Sequence, residues 1–341
     1  MQQRSISLRQ QGITLVELMI ALTLGLIIVA AAVQLFLSGQ TSLNLQRGFS
    51  EVQDNANYGL KFLSYELRRA NYGPSTAIHD RLPFGGIVLT TSDSPAVPAT
   101  HPLGNNISRI PVNLPSRIGA ALPVSGSGLI TNVQIVEAAA GNTASSDQLV
   151  MQYYADRDGV DCEGRIYSAG RYIVQRFFLR KDANAQQDPH EGLALACEAG
   201  GYTPDSSQIF KNGSSATPTP FGSTNGAILM HRVDHFHILL GVSNPDNNAE
   251  KRYISIDNYK KINSYPRPRI NSIQLGLLVR SSDSVGRSKL IPADQQFQVL
   301  DQTVRLKPLK QATPAKYLRQ VIVQTVALRN GLGMADQVEG L

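Results

Sequence analysis

Residues 18–37 carry no Asp, Glu, Lys or Arg, and among these 20 positions only Thr23, Gly25 and Gln34 interrupt the apolar run. A helix rises about 1.5 Å per residue, so the run reaches about 30 Å, the thickness of a bilayer core. Arg4 and Arg9 precede it, and Glu17 is the first acid in the chain. The basic end is expected to stay in the cytoplasm by the positive-inside rule. Glu17 therefore stands at the mouth of a membrane span. A carboxylate within hydrocarbon costs on the order of 3 kcal/mol or more, which makes Glu17 a functional candidate; the plainer alternative is a side chain solvated among the lipid headgroups.

The neighbours of Glu17 decide between these. Gly12-Ile13-Thr14-Leu15-Val16-Glu17-Leu18-Met19 resembles the class III signal of type IV prepilins and pseudopilins. The resemblance implies that a membrane-embedded prepilin peptidase cuts after Gly12. It also implies that Ile13 becomes an N-methylated first residue and that Glu17 becomes the fifth. Ile13 departs from the Phe of most major pilins; minor pilins vary there. Cleavage would expose an α-amine that Glu17 of a neighbouring subunit can neutralise. A buried unpaired charge is costly and a paired one is tolerated, so the expected pair sets axial register in a filament.

The apolar pattern continues past residue 37. Leu45, Phe49, Val52, Ala56, Leu60, Leu63, Leu67 and Ala70 recur at steps of three or four, one face of an amphipathic helix. Gly73-Pro74 is the stop signal. One helix of about 58 residues, near 87 Å, is expected from Ile13 onward. Residues 74–147 are rich in Pro, Gly, Ser and Asn, with strand-like islands at 86–91 and 129–138, and read as a long surface connection. From residue 148 the pattern alternates with period two. Strands are expected at 148–155, 171–180, 193–197, 228–242, 269–280 and 317–329, with turn spacers that favour an antiparallel sheet over parallel βαβ units. The expected fold class is α+β and pilin-like: a long N-terminal helix, transmembrane and then amphipathic, packed on an antiparallel β domain.

Further segments sharpen the family. Phe62-Leu63-Ser64-Tyr65-Glu66-Leu67-Arg68-Arg69-Ala70, Asp158-Gly159-Val160-Asp161-Cys162, Arg232-Val233-Asp234-His235-Phe236, Leu277-Leu278-Val279-Arg280-Ser281 and Val326-Ala327-Leu328-Arg329-Asn330 resemble the PilW-type minor pilins. Asn71 stands where that family usually has Gly after the helix. The expected organisation is a leader at 1–12, a membrane or filament-core helix at 13–37 and an amphipathic helix at 38–72. A variable region at 73–147, a β domain at 148–333 and a tail at 334–341 follow. The resemblance implies a subunit of a type IV pilus, anchored by a single pass in the inner membrane with its β domain in the periplasm, and later displayed on the cell surface. It implies the prepilin peptidase, other minor pilins, the major pilin and a tip adhesin as partners. It also implies roles in priming assembly, adhesion, twitching motility and DNA uptake.

Two cysteines, Cys162 and Cys197, lie far beyond the span. Placed in the periplasm they are expected to form a disulfide worth roughly 3–4 kcal/mol on the chain-entropy account; the alternative is two buried thiols. The 42% hydrophobic content is ample for a core. The formal charge of +6 falls to +4 once the two leader arginines are lost. With no compact basic-aromatic patch in the sequence, direct nucleic-acid binding is not expected.

Little in the chain points to catalysis. There is no G-x-S-x-G elbow and no phosphate-binding loop. His231, His235 and His237 fall on one face of the expected strand 228–242, which reads as a polar sheet face before it reads as a metal site. Asp156, Asp158 and Asp161 surround Gly159, but an EF-hand loop needs Gly at its sixth position and Gly159 is fourth from Asp156; they remain weak calcium candidates. No cofactor is expected, and low aromatic content of 6% with no Trp argues against a carbohydrate platform. Two rival readings share parts of the pattern. A J-like minor pseudopilin of a type II secretion system has the same signal but is usually shorter. A secreted or anchored periplasmic β protein could use Val29-Ala30-Ala31-Ala32 as a general signal-peptidase site.

Overall fold

The computed structural model describes residues 12–73, 85–89, 126–127, 136–138, 146–185, 192–203, 209–213, 219, 221–222, 226–243, 251–262, 268–285, 291–292, 295–307 and 316–329. Most of the expected variable region, the leader up to residue 11 and the tail lie outside these residues. The chain divides into two compact units, Met1–Arg47 and Gly48–Leu341.

The first unit is helical. The helix α1 begins at Leu15 and extends to Leu67, a run of 53 residues that enters the second unit. Leu15, Val16, Leu18 and the large apolar residues onward to Leu37 are all exposed. The helix contains a stretch long and apolar enough to cross a membrane, and none of that stretch is buried.

Among the described residues, the second unit is built from the end of α1 and fourteen strands. These are β1 Gly126–Ser127, β2 Val136–Ala138, β3 Asp147–Ala155, β4 Gly159–Val160, β5 Ile166–Tyr167, β6 Arg171–Lys181, β7 Leu193–Tyr202, β8 Ala227–His231, β9 Val233–Ser243, β10 Lys251–Ser255, β11 Arg269–Arg280, β12 Gln296–Val299, β13 Gln302–Leu306 and β14 Arg319–Ala327. A short helix, α2 Ile256–Lys260, follows β10. Sheet one has the order β1-β3-β6-β7-β8, sheet two β10-β9-β11-β14 and sheet three β12-β13-β2, with β4-β5 as a separate ribbon. All of these pairings are antiparallel.

The helix stops before the expected Gly73. Arg69, Ala70 and Tyr72 donate backbone hydrogen bonds to the third residue back, tightening the end of the helix. Asn71 then turns into the left-handed region at φ 63°. Asn tolerates that region better than other side chains, and its carboxamide oxygen accepts from the Gly86 amide. This gives Asn71 a physical reason to stand at the end of the helix.

Val52, Ala56, Leu60, Leu63 and Leu67 are buried and join one core with Phe177 of β6, Leu195 of β7, Phe236 of β9 and Leu275 of β11. Gly59 makes close approach possible, because a Cβ there would meet Met230 of β8 at 3.0 Å or less. Polar ties fix the seat of the helix. Gln175 donates to Glu66 at 2.9 Å, Asn55 to the His231 carbonyl at 2.6 Å, and the Ser282 amide to Glu51 at 3.1 Å.

Two strand expectations need correction. The expected strand 193–197 runs on to Tyr202. Its Gly200 and Gly201 leave room for a covering segment, since a Cβ at Gly200 would meet Ile209 at 2.9 Å and one at Gly201 would meet Asn212 at 2.6 Å. The expected strand 228–242 is two strands in different sheets. Arg232 breaks it at φ 57°, a left-handed conformation that a continuous ladder cannot contain. Its side chain is held by Asp182 at 3.1 Å, and its carbonyl accepts from Arg280 at 3.0 Å.

Candidate functional site

Gly12, Ile13 and Thr14 lead into α1. Thr14 is the cap: its hydroxyl accepts from the Glu17 amide at 3.2 Å, and its carbonyl accepts from Leu18 at 3.1 Å. Thr14-x-x-Glu17 is thus the spacing of a capping box. Glu17 has a local role the sequence reading missed, although the signal was in plain view. The carboxylate lies in the first turn, where the helix dipole favours negative charge. The same turn would favour a carboxylate that neutralises a nearby amine.

In the second unit Cys162 and Cys197 form a disulfide with Cα atoms 6.2 Å apart. It ties the connection between β4 and β5 to β7 of sheet one. Each cysteine is followed by a glutamate, and both glutamates face Lys211. Its ammonium lies 2.7 Å from Glu163 and 3.8 Å from Glu198. Glu198 also pairs with Arg176. These charges are buried and mutually neutralised, the arrangement that makes buried ions tolerable.

Asp156, Asp158 and Asp161 are used separately. Asp156 accepts from the Tyr72 hydroxyl at 2.7 Å, and Asp158 from the Ala169 amide at 2.7 Å. Asp161 accepts from the Glu163 and Arg165 amides at 2.9 Å each, and from Asn212 at 2.9 Å. Among the described residues no three His, Cys, Asp or Glu side chains are grouped so as to hold a metal ion.

The three histidines also part company. His231 ends β8 and lies 2.7 Å from Asp182. His235 and His237 both lie on β9 and both bridge the start of β3 to the turn between β12 and β13. His235 contacts Ser146 at 3.2 Å and Gln302 at 2.9 Å. His237 lies 2.7 Å from Asp147 and 2.6 Å from Asp301. Burial pushes His235 down to about 4, with the charge of His237 acting in the same direction and the Gln302 hydrogen bond opposing. Burial alone would lower His237 too, but Asp147 and Asp301 together outweigh it and hold His237 above its ordinary value.

A second buried charge group closes sheet two. Asp234 of β9 lies 3.3 Å from Arg280 of β11 and 2.7 Å from Arg319 of β14. The Arg280 guanidinium stacks over Tyr317 at 4.7 Å. All of these serve cohesion of the domain.

Two family models match the chain. The prokaryotic N-terminal methylation motif matches residues 7–33, a stretch that contains Gly12, Ile13 and Glu17. The type IV pilus-assembly protein W family matches residues 199–330, from the end of β7 through β14. The chain carries a prokaryotic N-terminal methylation motif and a region similar to the type IV pilus-assembly protein W family.

Among solved structures the chain is similar to a type IV-like pilin from Thermus thermophilus, at 11% identity over 82% of this chain and 97% of that one, with a TM-score of 0.32. At that score the likeness supports no conclusion. No curated protein matches the chain. The PilW match includes Arg232, Asp234, His237, Arg280, Asp301 and Arg319, so much of the buried charge described above lies in the matched stretch. Cys197 falls just outside it and Cys162 well before it.

Proposed function

We propose that this chain is a minor subunit of a type IV pilus, made as a membrane-anchored precursor. The prepilin peptidase cuts after Gly12, and Ile13 becomes the N-methylated terminus. The basic leader stays in the cytoplasm, the apolar half of α1 crosses the inner membrane, and the disulfide-bonded domain folds in the periplasm. On assembly the apolar half leaves lipid for the filament core, where Glu17 neutralises the amine of a neighbouring subunit. The partners are other minor pilins, the major pilin and a tip adhesin. The subunit acts in priming the filament and in the structure of its tip, with adhesion, motility and DNA uptake as the consequences.

One observation carries this reading. The apolar part of α1, Leu15 to Leu37, is uncovered and begins within a few residues of Gly12, and the acid in its first turn is Glu17. Such a surface needs either lipid or other apolar helices around it. The test is the intact mass and N-terminal sequence of the protein from cells with and without the prepilin peptidase. A methylated Ile13 terminus that disappears in the peptidase mutant is the expected result. A terminus near Val33, or an intact Met1 in both strains, overturns the reading.

A further inference from the structure

The two rims of sheet two differ in charge. At one rim β9 begins, β11 ends and β14 begins, and there Asp234 neutralises Arg280 and Arg319. At the other rim β9 ends at Ser243, β10 begins at Lys251, β11 begins at Arg269 and β14 runs out towards Arg329. The register brings these residues together. Lys251 and Arg269 both pair with Ser243, and the Leu328 amide donates to the Asn271 carbonyl at 2.9 Å. The helix α2 is tied to the same rim, since the Tyr259 hydroxyl donates at 2.8 Å to the carbonyl of Pro268, one residue before Arg269. Lys261 follows directly on α2.

Lys251, Arg252, Lys261 and Arg329 are exposed, and Arg269 is half-buried. None of the five forms an ion pair among the described residues. The strand ends 241–243, 251–253, 269–272 and 326–329 contain no Asp or Glu, and residues 244–269 as a whole carry six Lys or Arg against three acids. Asp257, in the first turn of α2, is one of those acids. Tyr253 is 46% exposed and lies over Gly241, where a Cβ would meet its ring at 2.9 Å. Charge on an edge strand deters unwanted strand pairing, which accounts for Lys251 and Arg252 on β10. It does not account for Arg269, which opens an interior strand, nor for Lys261 and Arg329, which stand outside the strands.

We propose that this rim docks the β domain on the anionic lipid headgroups of the bilayer that α1 spans. Lys and Arg are drawn singly to an anionic lipid surface, and Tyr sits well at headgroup level with its ring in the apolar layer and its hydroxyl in water. This rests on the membrane-anchored precursor of the reading above, in which the domain and the lipid belong to one tethered pair. A tether gives the headgroups a high effective concentration, so a contact of a few cations suffices. Nucleic acid offers the same phosphate chemistry without the tether. Single strands, moreover, are held by stacking successive bases on several aromatic rings, whereas Tyr253 is the one exposed aromatic among the described rim residues. Docking holds the domain at the membrane surface until the subunit is drawn out of lipid.

The chain contains no Trp, so Tyr253→Trp installs a single fluorescent reporter in the rim. The full chain is placed in nanodiscs whose lipids carry bromine just below the headgroup, either all phosphatidylcholine or one third phosphatidylglycerol. Strong quenching in the anionic discs and little in the zwitterionic ones is the expected result. Raising salt from about 0.1 M to about 1 M shortens the Debye length from about 10 Å to about 3 Å and should relieve it. Lys251→Gln, Arg252→Gln and Lys261→Gln should together weaken docking roughly fivefold for each cation removed. An intact Cys162–Cys197 disulfide and unchanged emission in zwitterionic discs monitor folding, and if the triple variant fails to accumulate, Lys251→Gln with Lys261→Gln gives the same readout. Quenching that is absent, equal in the two discs, or indifferent to the Gln substitutions overturns the proposal. Relief of the quenching by duplex DNA also overturns it, by making the rim a nucleic-acid surface. Co-purification with the discs separates the two claims. A chain that does not enter them sinks the membrane anchor, whereas one that enters without quenching sinks only the docking rim.

Discussion

Nε2 of His237 lies 2.6 Å from Oδ1 of Asp301. This contact fastens the β12–β13 turn to β9, while the other ring nitrogen faces Asp147 at 2.7 Å. The pair is strongest when the imidazole is charged. Because His237 titrates above its ordinary value of 6.5, its contribution to stability is fully present below that value and is lost as pH rises through the folded-state value. His235 behaves oppositely. Its folded value is held down to about 4 against 6.5, so it destabilises the fold as pH falls from about 6.5 towards 4. Denaturant midpoints measured across pH on the full chain in detergent should show both limbs. Asp301→Asn should flatten the alkaline limb and leave the acid limb in place; an unchanged alkaline limb counts against the His237 pairing.

Asp234 is the next point of leverage. It is buried between Arg280 and Arg319, so Asp234→Ala leaves two guanidinium groups without their anion. The expected loss is about 3–5 kcal/mol, the range for breaking a buried ion pair from one side. Equilibrium unfolding of the variant provides the measurement, and a loss below about 1 kcal/mol, the range of a surface pair, would mean the site is solvated.

Removing the disulfide with Cys162→Ser and Cys197→Ser should cost about 3–4 kcal/mol for a loop of this length. The Glu163–Lys211 pair lies beside it and depends on the same placement of the β4–β5 connection. The double variant should therefore also weaken this pair, so that Lys211→Met costs less in the disulfide-free chain than in the parent. Strict additivity of the two losses would show that the ion pair stands without the disulfide.

At the N-terminus the two roles of Glu17 can be separated. Thr14→Ala removes only the cap and should cost about 1 kcal/mol of helix stability, with filament incorporation largely preserved. Glu17→Ala should abolish incorporation while leaving cleavage after Gly12 intact. Counting the subunit in sheared filaments, alongside its N-terminal mass in membranes, reads both. Equal incorporation of the Glu17 variant and the parent would falsify the register role.

Much of the architecture was legible in the sequence, for reasons tied to particular residues. The helix declares itself through Val52, Ala56, Leu60, Leu63 and Leu67, because a helical period over so many turns has no other solution. The strands β6, β11 and β14 are dense in alternating apolar residues. What escaped was set by tertiary contact. Nothing local marks Arg232 as a left-handed residue; it becomes one because Asp182 and Arg280 hold it from two sides. The glycines of β7 look like a strand end until the 209–212 segment is laid over them. Asp147 and Asp301 are far apart in sequence, and their convergence on His237 depends on three sheets being in place. The capping role of Thr14 is the exception, a local signal overlooked because Glu17 already had a reading.

Arg232 has a mechanical consequence. It keeps β8 and β9 on one uninterrupted backbone while sending them into different sheets. A pull on sheet two therefore reaches sheet one through covalent bonds instead of through core side chains alone. Four cross-strand pairs join β8 to β7, and tension along the strands loads their hydrogen bonds in shear, all together. From β7 the load can pass through Cys197 into Cys162. The line from β9 through β8 and β7 to the disulfide is a tendon within the domain.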